Sequence, residues 1–466
     1  MNMKQVLRNL SYTVLSNFLS LFVSTLVVLI VPKLIGVEDY GYWQLYMFYT
    51  TYVTVLHLGW FDGIYLRYGG REYDSLDKSL FNSQIVLSLC LETLIAAVIY
   101  CYSFFVNNNN QSYIIVMTAI AMLIMNMGLL SVYLLQITNQ IRKYAIYTVV
   151  GKLIYISIVI VSLLLGVRSF RILIVADLIG KFSSLLYGII CCQDLVFRKL
   201  ELTKNSFREA YFNISVGIKL LIANLSSNLV VGVIRYGIQT AWGIKIFGKI
   251  SLTLSISNLL MVFIGAVSLV LFPTLRRIQT DLEKVYSNIR IILISILLLG
   301  LLLYFPVQLI LPIWLPKYKD SLVYMAILFP MCLFDGKFEI LINTFMKSLR
   351  LEKTLLLLNI FSVVISCIIT VVNIIFFKNL SAMMFSIVFV LAVRSTIGEL
   401  IVWKVLKIHE YKQLFLEIGI VIVFILSTWY LSLLIALFIY LLILIIYTYF
   451  HFQKIKGALL YFCGIE

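Results

Sequence analysis

Charged side chains sit inside runs that are otherwise apolar, and nine of them point to two kinds of chemistry. Five are basic: Lys152, Lys181, Lys219, Lys337 and Arg394. A cation at bilayer depth costs about 2.5 to 3.5 kcal/mol even on lenient scales, so each needs a partner or a purpose. An anionic phosphate group would be one purpose, since Lys supplies point charge and Arg grips phosphate oxygens in pairs. The bland alternatives are snorkelling to the interface, which suits Lys152 and Lys219 near helix ends, and ion pairs. Asp177 and Lys181 are spaced i, i+4, and Asp335 and Glu339 flank Lys337. The other four, Glu92, Asp335, Glu339 and Glu399, are carboxylates that a proton or a sodium ion could neutralise in a dry span.

Uncharged polar residues fall into stripes at helical spacing. Asn9, Thr13, Ser16, Ser20 and Ser24 share one face, as do Tyr46, Thr50 and His57. Further along, Asn224, Asn228 and Arg235 align, and so do Ser251, Ser255, Asn258 and Gly265. Hydroxyls and amides donate and accept hydrogen bonds, which suits the many OH groups of a sugar. The same residues also glue helices together in lipid, at about 0.6 kcal/mol per contact. Among the basic residues, Arg67, Lys219 and Arg235 are the preferred phosphate ligands, because they belong to the second and seventh predicted helices, which would face the path between two lobes.

Enzyme chemistry finds little support. The seven cysteines, Cys90, Cys101, Cys191, Cys192, Cys332, Cys367 and Cys463, form no CxxC pair and sit in or beside apolar stretches. His57, His409 and His451 are scattered, and no GxxxxGK[ST] loop is present to hold a nucleotide. The expectation is a protein that is not an enzyme and carries neither metal nor organic cofactor, with proton or sodium coupling as the only ionic requirement.

These residues must be positioned by membrane helices. Of 466 residues 62% are hydrophobic and 12% charged, so the solvent for most of the surface has to be lipid. Backbone polar groups in lipid must satisfy themselves, and the long apolar runs favour helices over a barrel. Apolar windows predict spans near 10–31, 42–61, 81–106, 112–135, 145–167, 172–192, 212–234, 250–272, 289–310, 321–345, 354–377, 380–403, 414–432 and 434–452. The last two are divided only by a weak turn signal at Trp429–Ser432. Lys4 and Arg8 precede a first run too long for a signal-peptide core, so it is read as a helix. The net charge of +16 resides mostly in alternate loops, which puts both termini in the cytoplasm and argues against a nucleic-acid partner.

A short repeat organises these spans. Gly36-Val-Glu-Asp-Tyr-Gly41 recurs as Gly243-Ile-Lys-Ile-Phe-Gly248, and the same offset carries Asn17 onto Asn224 and Ser20 onto Ser227. The predicted architecture is all-α and integral to the membrane, with about fourteen helices in two six-helix lobes, 1–211 and 212–412, plus a C-terminal pair over 413–466.

The sequence resembles the polysaccharide-transporter branch of the multidrug/oligosaccharidyl-lipid/polysaccharide (MOP) flippase superfamily, which includes the O-antigen and capsule repeat-unit flippases. The residues that carry the resemblance are Val31-Pro-Lys-Leu-Ile-Gly36, Glu38-Asp-Tyr-Gly41, Leu58-Gly59 and Leu66-Arg67-Tyr68. In the second half they are Phe247-Gly248 and Leu271-Phe-Pro-Thr-Leu-Arg-Arg277. The resemblance implies a MATE-like fold in a bacterial inner membrane. It also implies alternating-access transfer of an undecaprenyl-diphosphate-linked oligosaccharide between leaflets, without ATP hydrolysis. A polymerase and a chain-length regulator would be its pathway partners, and the transporter itself would be a monomer. No Asp or Glu precedes Glu38, which weighs against a peptidoglycan-precursor flippase and a cation-coupled multidrug antiporter. A membrane polysaccharide polymerase would want a large outer loop that is not evident.

Overall fold

The computed structural model describes residues 3–275 and 282–463, with side chains for 11–259, 261 and 282–461. Within these residues the chain is helical throughout its ordered elements, and eleven helices are long and apolar enough to cross a membrane. Large apolar side chains cover their outer faces: Phe18, Leu94, Phe105, Ile313 and Phe415 are all more than half exposed. That surface is stable only against lipid, so this is a multi-pass membrane protein.

Contacts divide the chain into two compact units, Met1–Leu225 and Ser226–Glu466. The first contains α1 (Met3–Leu34), α2 (Val37–Val53), α3 (Trp60–Tyr68), α4 (Lys78–Ser103), α5 (Asn109–Ile137), α6 (Ile141–Leu164), α7 (Phe170–Cys191) and the short α8 (Gln193–Val196). Helix starts are capped by side chains chosen for it: Asp77 accepts from the amides of Ser79 and Leu80, and Asn108 from those of Asn110 and Gln111. Helix α5 has partners on several sides, α4, α2, α3 and α7, and α6 packs extensively on α7 and α1. One apolar core joins Trp60, Phe61 and Ile64 of α3 to Leu130, Leu134 and Leu135 of α5.

Helix α9 (Lys204–Leu275) crosses the division between the units. It covers the predicted spans 212–234 and 250–272 in one run of 72 residues, broken only at Gly243, where φ is 77° and ψ −179°. The intervening segment, which looked like a loop by its charge, is helix that carries polar residues. The repeat motif marks helix junctions in both halves: Gly36 is the extended N-cap residue of α2, and Gly243 is the break in α9.

The second unit continues with α10 (Leu282–Gly300), α11 (Tyr304–Trp314), α12 (Lys319–Leu322), α13 (Met325–Leu328), α14 (Met331–Lys337), α15 (Asn343–Ser348), α16 (Glu352–Val372), α17 (Leu380–Leu406), α18 (Tyr411–Tyr430) and α19 (Leu433–Cys463). The predicted span 321–345 is therefore a chain of short pieces rather than one helix, and it includes a π-helical turn at Phe338–Ile342. The span 42–61 is likewise broken, by a 3-10 turn at Thr54–His57 and left-handed backbone at Leu58 and Gly59. These breaks and the fusion in α9 are why the number of continuous apolar helices differs from the number of predicted spans. The weak turn signal at Trp429–Ser432 does separate two helices, α18 and α19. Both pack into the second unit, α19 on α10 and α18 on α13. Tyr440 of α19 donates its hydroxyl to the Leu298 carbonyl at 2.8 Å.

Candidate functional site

Within the first unit, α5, α6 and α7, with Thr54, line an open cavity of about 410 Å³. Glycines create it. A Cβ on Gly151 of α6 would meet the Gly180 carbonyl at 2.7 Å, and one on Gly180 of α7 would meet the Gly151 carbonyl at 2.6 Å. Bare glycine is what lets the two backbones cross this closely. Each glycine is followed by a lysine, so the same crossing delivers Lys152 and Lys181 to one cavity.

The two lysines differ in their partners. Lys181 Nζ lies 2.6 Å from Asp177 Oδ2, one helical turn away, and 5.5 Å from the centre of the Tyr46 ring. Asp177 also accepts the Tyr46 hydroxyl at 2.7 Å. Lys152 forms no ion pair among the described residues and is accessible within the cavity. The Tyr155 hydroxyl, on the same helix one turn on, is buried with no hydrogen-bond partner. Thr54, Tyr147, Thr148 and Ser184 add hydroxyls, while Ile124, Met125, Leu129 and Val132 of α5 form an apolar wall. Two ammonium groups against one carboxylate leave the cavity net positive. Its size and its mixture of apolar wall and converging polar groups are those of a small-ligand site.

Asp39, from the Glu38-Asp-Tyr-Gly41 turn, fixes this arrangement from one end by accepting the backbone N–H of Phe170 at 3.1 Å, at the start of α7. Trp43 stacks on Tyr46 and on Tyr155, with ring centres 5.6 and 6.2 Å apart. Helix α2 is thereby held against both α6 and α7.

The second unit holds a closed ring of four charges. Arg290 Nε lies 2.5 Å from Glu399 Oε1 and its Nη2 2.6 Å from Glu417 Oε1. Lys337 Nζ reaches Glu399 Oε2 at 2.6 Å and Glu417 Oε2 at 3.3 Å. Arg290 also donates to Gln413 at 2.9 Å and lies over the Trp403 ring. The ring is neutral overall and joins α10, α14, α17 and α18. The predicted span 289–310 puts Arg290 at its very edge; the structure buries it in α10, which begins earlier, at Leu282. A second cluster follows directly. Arg394 Nη2 lies 2.5 Å from Asp335 Oδ1, its Nη1 donates to Ser227 at 3.0 Å, and Ser227 donates to Glu339 at 3.3 Å. Glu339 also accepts from Asn343 at 2.9 Å.

The other predicted site residues are dispersed. Arg67 is engaged by Glu209 at 2.6 and 3.2 Å and by Asn213 at 2.6 Å, at the start of α9. Tyr68 shares Glu209. Lys219, Asn224, Asn228 and Asn258 are exposed along α9, and Ser255 is half-buried. Arg235 donates to Ser251 at 3.1 Å and lies over Phe247. In α1, Ser16 is buried and its hydroxyl returns to the Thr13 carbonyl, while Ser20 is half-buried. His57 is buried at the break between α2 and α3, with Nε2 3.7 Å from Asp62 and Nδ1 accepting the Gly59 amide. Glu92 is enclosed between α4 and α5 and accepts from Asn126 at 2.9 Å. The side chains of Asn9, Arg276 and Arg277, and the surroundings of Gly265, lie outside the described residues. Among the described residues no cluster of three His, Cys, Asp or Glu is placed to hold a metal ion.

Sequence reasoning named Lys152 and Lys181 separately but did not pair them. The signal was present: Gly-Lys occurs at 151–152 and again at 180–181, each in a membrane helix. Arg290 and Glu417 were missed because both lie near predicted span edges and their partners are 80 or more residues away in sequence.

Known proteins agree with this architecture. The chain is similar to a multidrug resistance MATE family transporter of the MOP superfamily in its inward-facing conformation, with TM-score 0.62 and 13% identity, over 84% of this chain and 98% of that one. A MATE protein in complex with MaD3S matches with TM-score 0.57 and 14% identity, over 84% and 93% of the two chains. A MOP superfamily transporter from Pyrococcus furiosus matches with TM-score 0.50 and 14% identity, over 86% and 93%. At such identities the likeness is one of fold. None of the curated proteins matches the sequence. The model of the polysaccharide biosynthesis protein family, however, matches residues 6–279, more than half of the chain and the part that contains both the Glu38-Asp-Tyr-Gly41 turn and the two-lysine cavity, so the chain belongs to the polysaccharide biosynthesis protein family.

Proposed function

We propose that this protein moves an undecaprenyl-diphosphate-linked oligosaccharide from the cytoplasmic to the outer leaflet of a bacterial inner membrane, and that Lys152 and Lys181 receive the diphosphate. The observation that carries this reading is the unpaired Lys152 beside the Asp177-held Lys181 in one net-positive cavity. Asp177 fixes one ammonium in place, and the other is left to meet an incoming anion. Two cations beside an apolar wall attract a doubly charged group more than the same charges in open water would. Thr148 and Ser184 donate their hydroxyls to the Tyr144 and Tyr147 carbonyls and keep acceptor lone pairs for the first sugar, while the Tyr155 hydroxyl is a donor without a partner. At about 410 Å³ the cavity is of headgroup size, so the polyprenyl tail would remain in the lipid.

Family membership and the MATE-type fold support the same reading, since both fit a protein that handles a glycan precursor at a membrane. Both termini would lie in the cytoplasm, and a polymerase would consume the transferred unit. The test is complementation of a strain lacking the gene. K152Q/K181Q should reach the membrane in normal amount and fail to restore surface polysaccharide. Restoration equal to wild type would remove the two lysines from the transport path.

A further inference from the structure

Glu92 and Asn126 present a mismatch that one proton would resolve. Glu92 is fully enclosed, at 0% exposure, and so is Asn126. Glu92 Oε2 accepts from Asn126 Nδ2 at 2.9 Å. The two remaining atoms of the pair, Glu92 Oε1 and Asn126 Oδ1, are both buried and have no hydrogen-bond partner. With Glu92 ionised, both are acceptors and nothing donates to either. A proton on Oε1 would turn that oxygen into a donor, and Oδ1 is the acceptor of the pair left to receive it, so that acid and amide would be joined by two complementary hydrogen bonds.

The surroundings favour the neutral acid. Ala96, Ala119 and Met122 form the neighbouring apolar cluster, with Leu56, Ile95 and Leu123 packed against it. Helix α4 packs on α5, on α8 and on the 3-10 turn Thr54–His57. Helix α5 contains no charged residue. From the turn, His57 is directed to Asp62, which also accepts the Tyr133 hydroxyl at 3.0 Å. From α8, Asp194 pairs with Lys78 at 3.4 Å, and Lys78 lies about 21 Å from Glu92 along the helix axis. No cation among the described residues pairs with Glu92. An ionised carboxylate enclosed without a counter-charge is the costliest way to bury this side chain.

We propose that Glu92 and Asn126 form a proton-binding site. Glu92 carries the proton on Oε1, shared with Asn126 Oδ1, and releases it to water only when α4 and α5 part enough to admit a water molecule. The site gives the first unit a group whose charge depends on its conformation, whatever cargo the protein carries. It is therefore separable from the lysine cavity, and either idea can fail alone.

Infrared spectroscopy of the full-length protein in lipid at neutral pH reads the site directly. The difference between wild type and E92Q should contain a carboxylic-acid C=O stretch present only in wild type. E92Q can pair amide to amide with Asn126, so the variant keeps the packing. N126L, which retains Glu92, should keep the band and move it to higher frequency because the acid loses its partner. That variant also serves if E92Q fails to accumulate. A difference spectrum showing only carboxylate stretches, a band unmoved in N126L, or a band abolished by adding sodium at constant pH would each overturn the proposal.

Discussion

Lys337 Nζ lies 2.6 Å from Glu399 Oε2, and the two side chains are 1% and 0% exposed. Neither charge is exposed, and neither is paired alone, since Arg290 and Glu417 close the ring around them. In such a setting a single charge is tolerable only while the count of opposite charges is kept, because an uncompensated buried charge costs several kcal/mol.

This predicts non-additivity. K337M should lower the unfolding temperature of the detergent-solubilised protein strongly, corresponding to a loss of about 3–5 kcal/mol, because Glu399 and Glu417 are left facing one arginine. K337M/E417Q restores neutrality and should recover most of that loss. Thermal unfolding of the two variants beside wild type measures it, and equal losses would show that the ring is not what holds α18 to α14 and α17.

The close crossing of α3 and α9 makes a second prediction. A Cβ on Gly63 would run into the backbone carbonyl of Asn213, and one on Gly217 into that of Gly59. Backbone cannot yield as a side-chain tip can, so G63A should abolish folded protein in the membrane. Gly419 in α18 has nothing within 4 Å of its Cβ position. G419A should accumulate normally and gain up to about 1 kcal/mol from helix propensity. Quantifying both variants in membrane extracts decides the matter.

Arg67 offers a test of role. Its guanidinium is committed to Glu209 and Asn213. If it acts by tying α3 to α9, then R67Q, E209Q and the double variant should reduce surface polysaccharide by the same factor, since each breaks the same tie. A larger loss in R67Q than in E209Q would mean that the arginine meets the cargo itself. R67K should fall between wild type and R67Q, because a lysine cannot make the two-pronged contact.

How far the sequence could reach depended on the kind of information each element needed. Helices α4 to α7 begin and end within a few residues of their predicted spans, because one apolar window bounded by polar turns contains everything that determines them. The break after His57 escaped notice because Leu58 and Gly59 leave the apolar pattern intact and change only backbone handedness. The fused α9 escaped it for the opposite reason: the charged residues between Arg235 and Lys249 look like a loop yet extend the helix. The i, i+4 pair Asp177–Lys181 was readable because both partners sit on one helix. Its encounter with Lys152, like that of Arg290 with Glu399 and Glu417, depends on which helices touch, and one sequence carries no direct record of that.

Transfer itself is the most direct measurement of the central claim. Purified protein would be reconstituted in liposomes carrying a polyprenyl-diphosphate-linked oligosaccharide, and the fraction of glycan that becomes accessible to an external lectin would be followed in time. The account predicts rapid exposure with wild type and a rate no faster than protein-free liposomes with K152Q/K181Q, with K152R retaining activity. Equal rates for wild type and the double variant would contradict it.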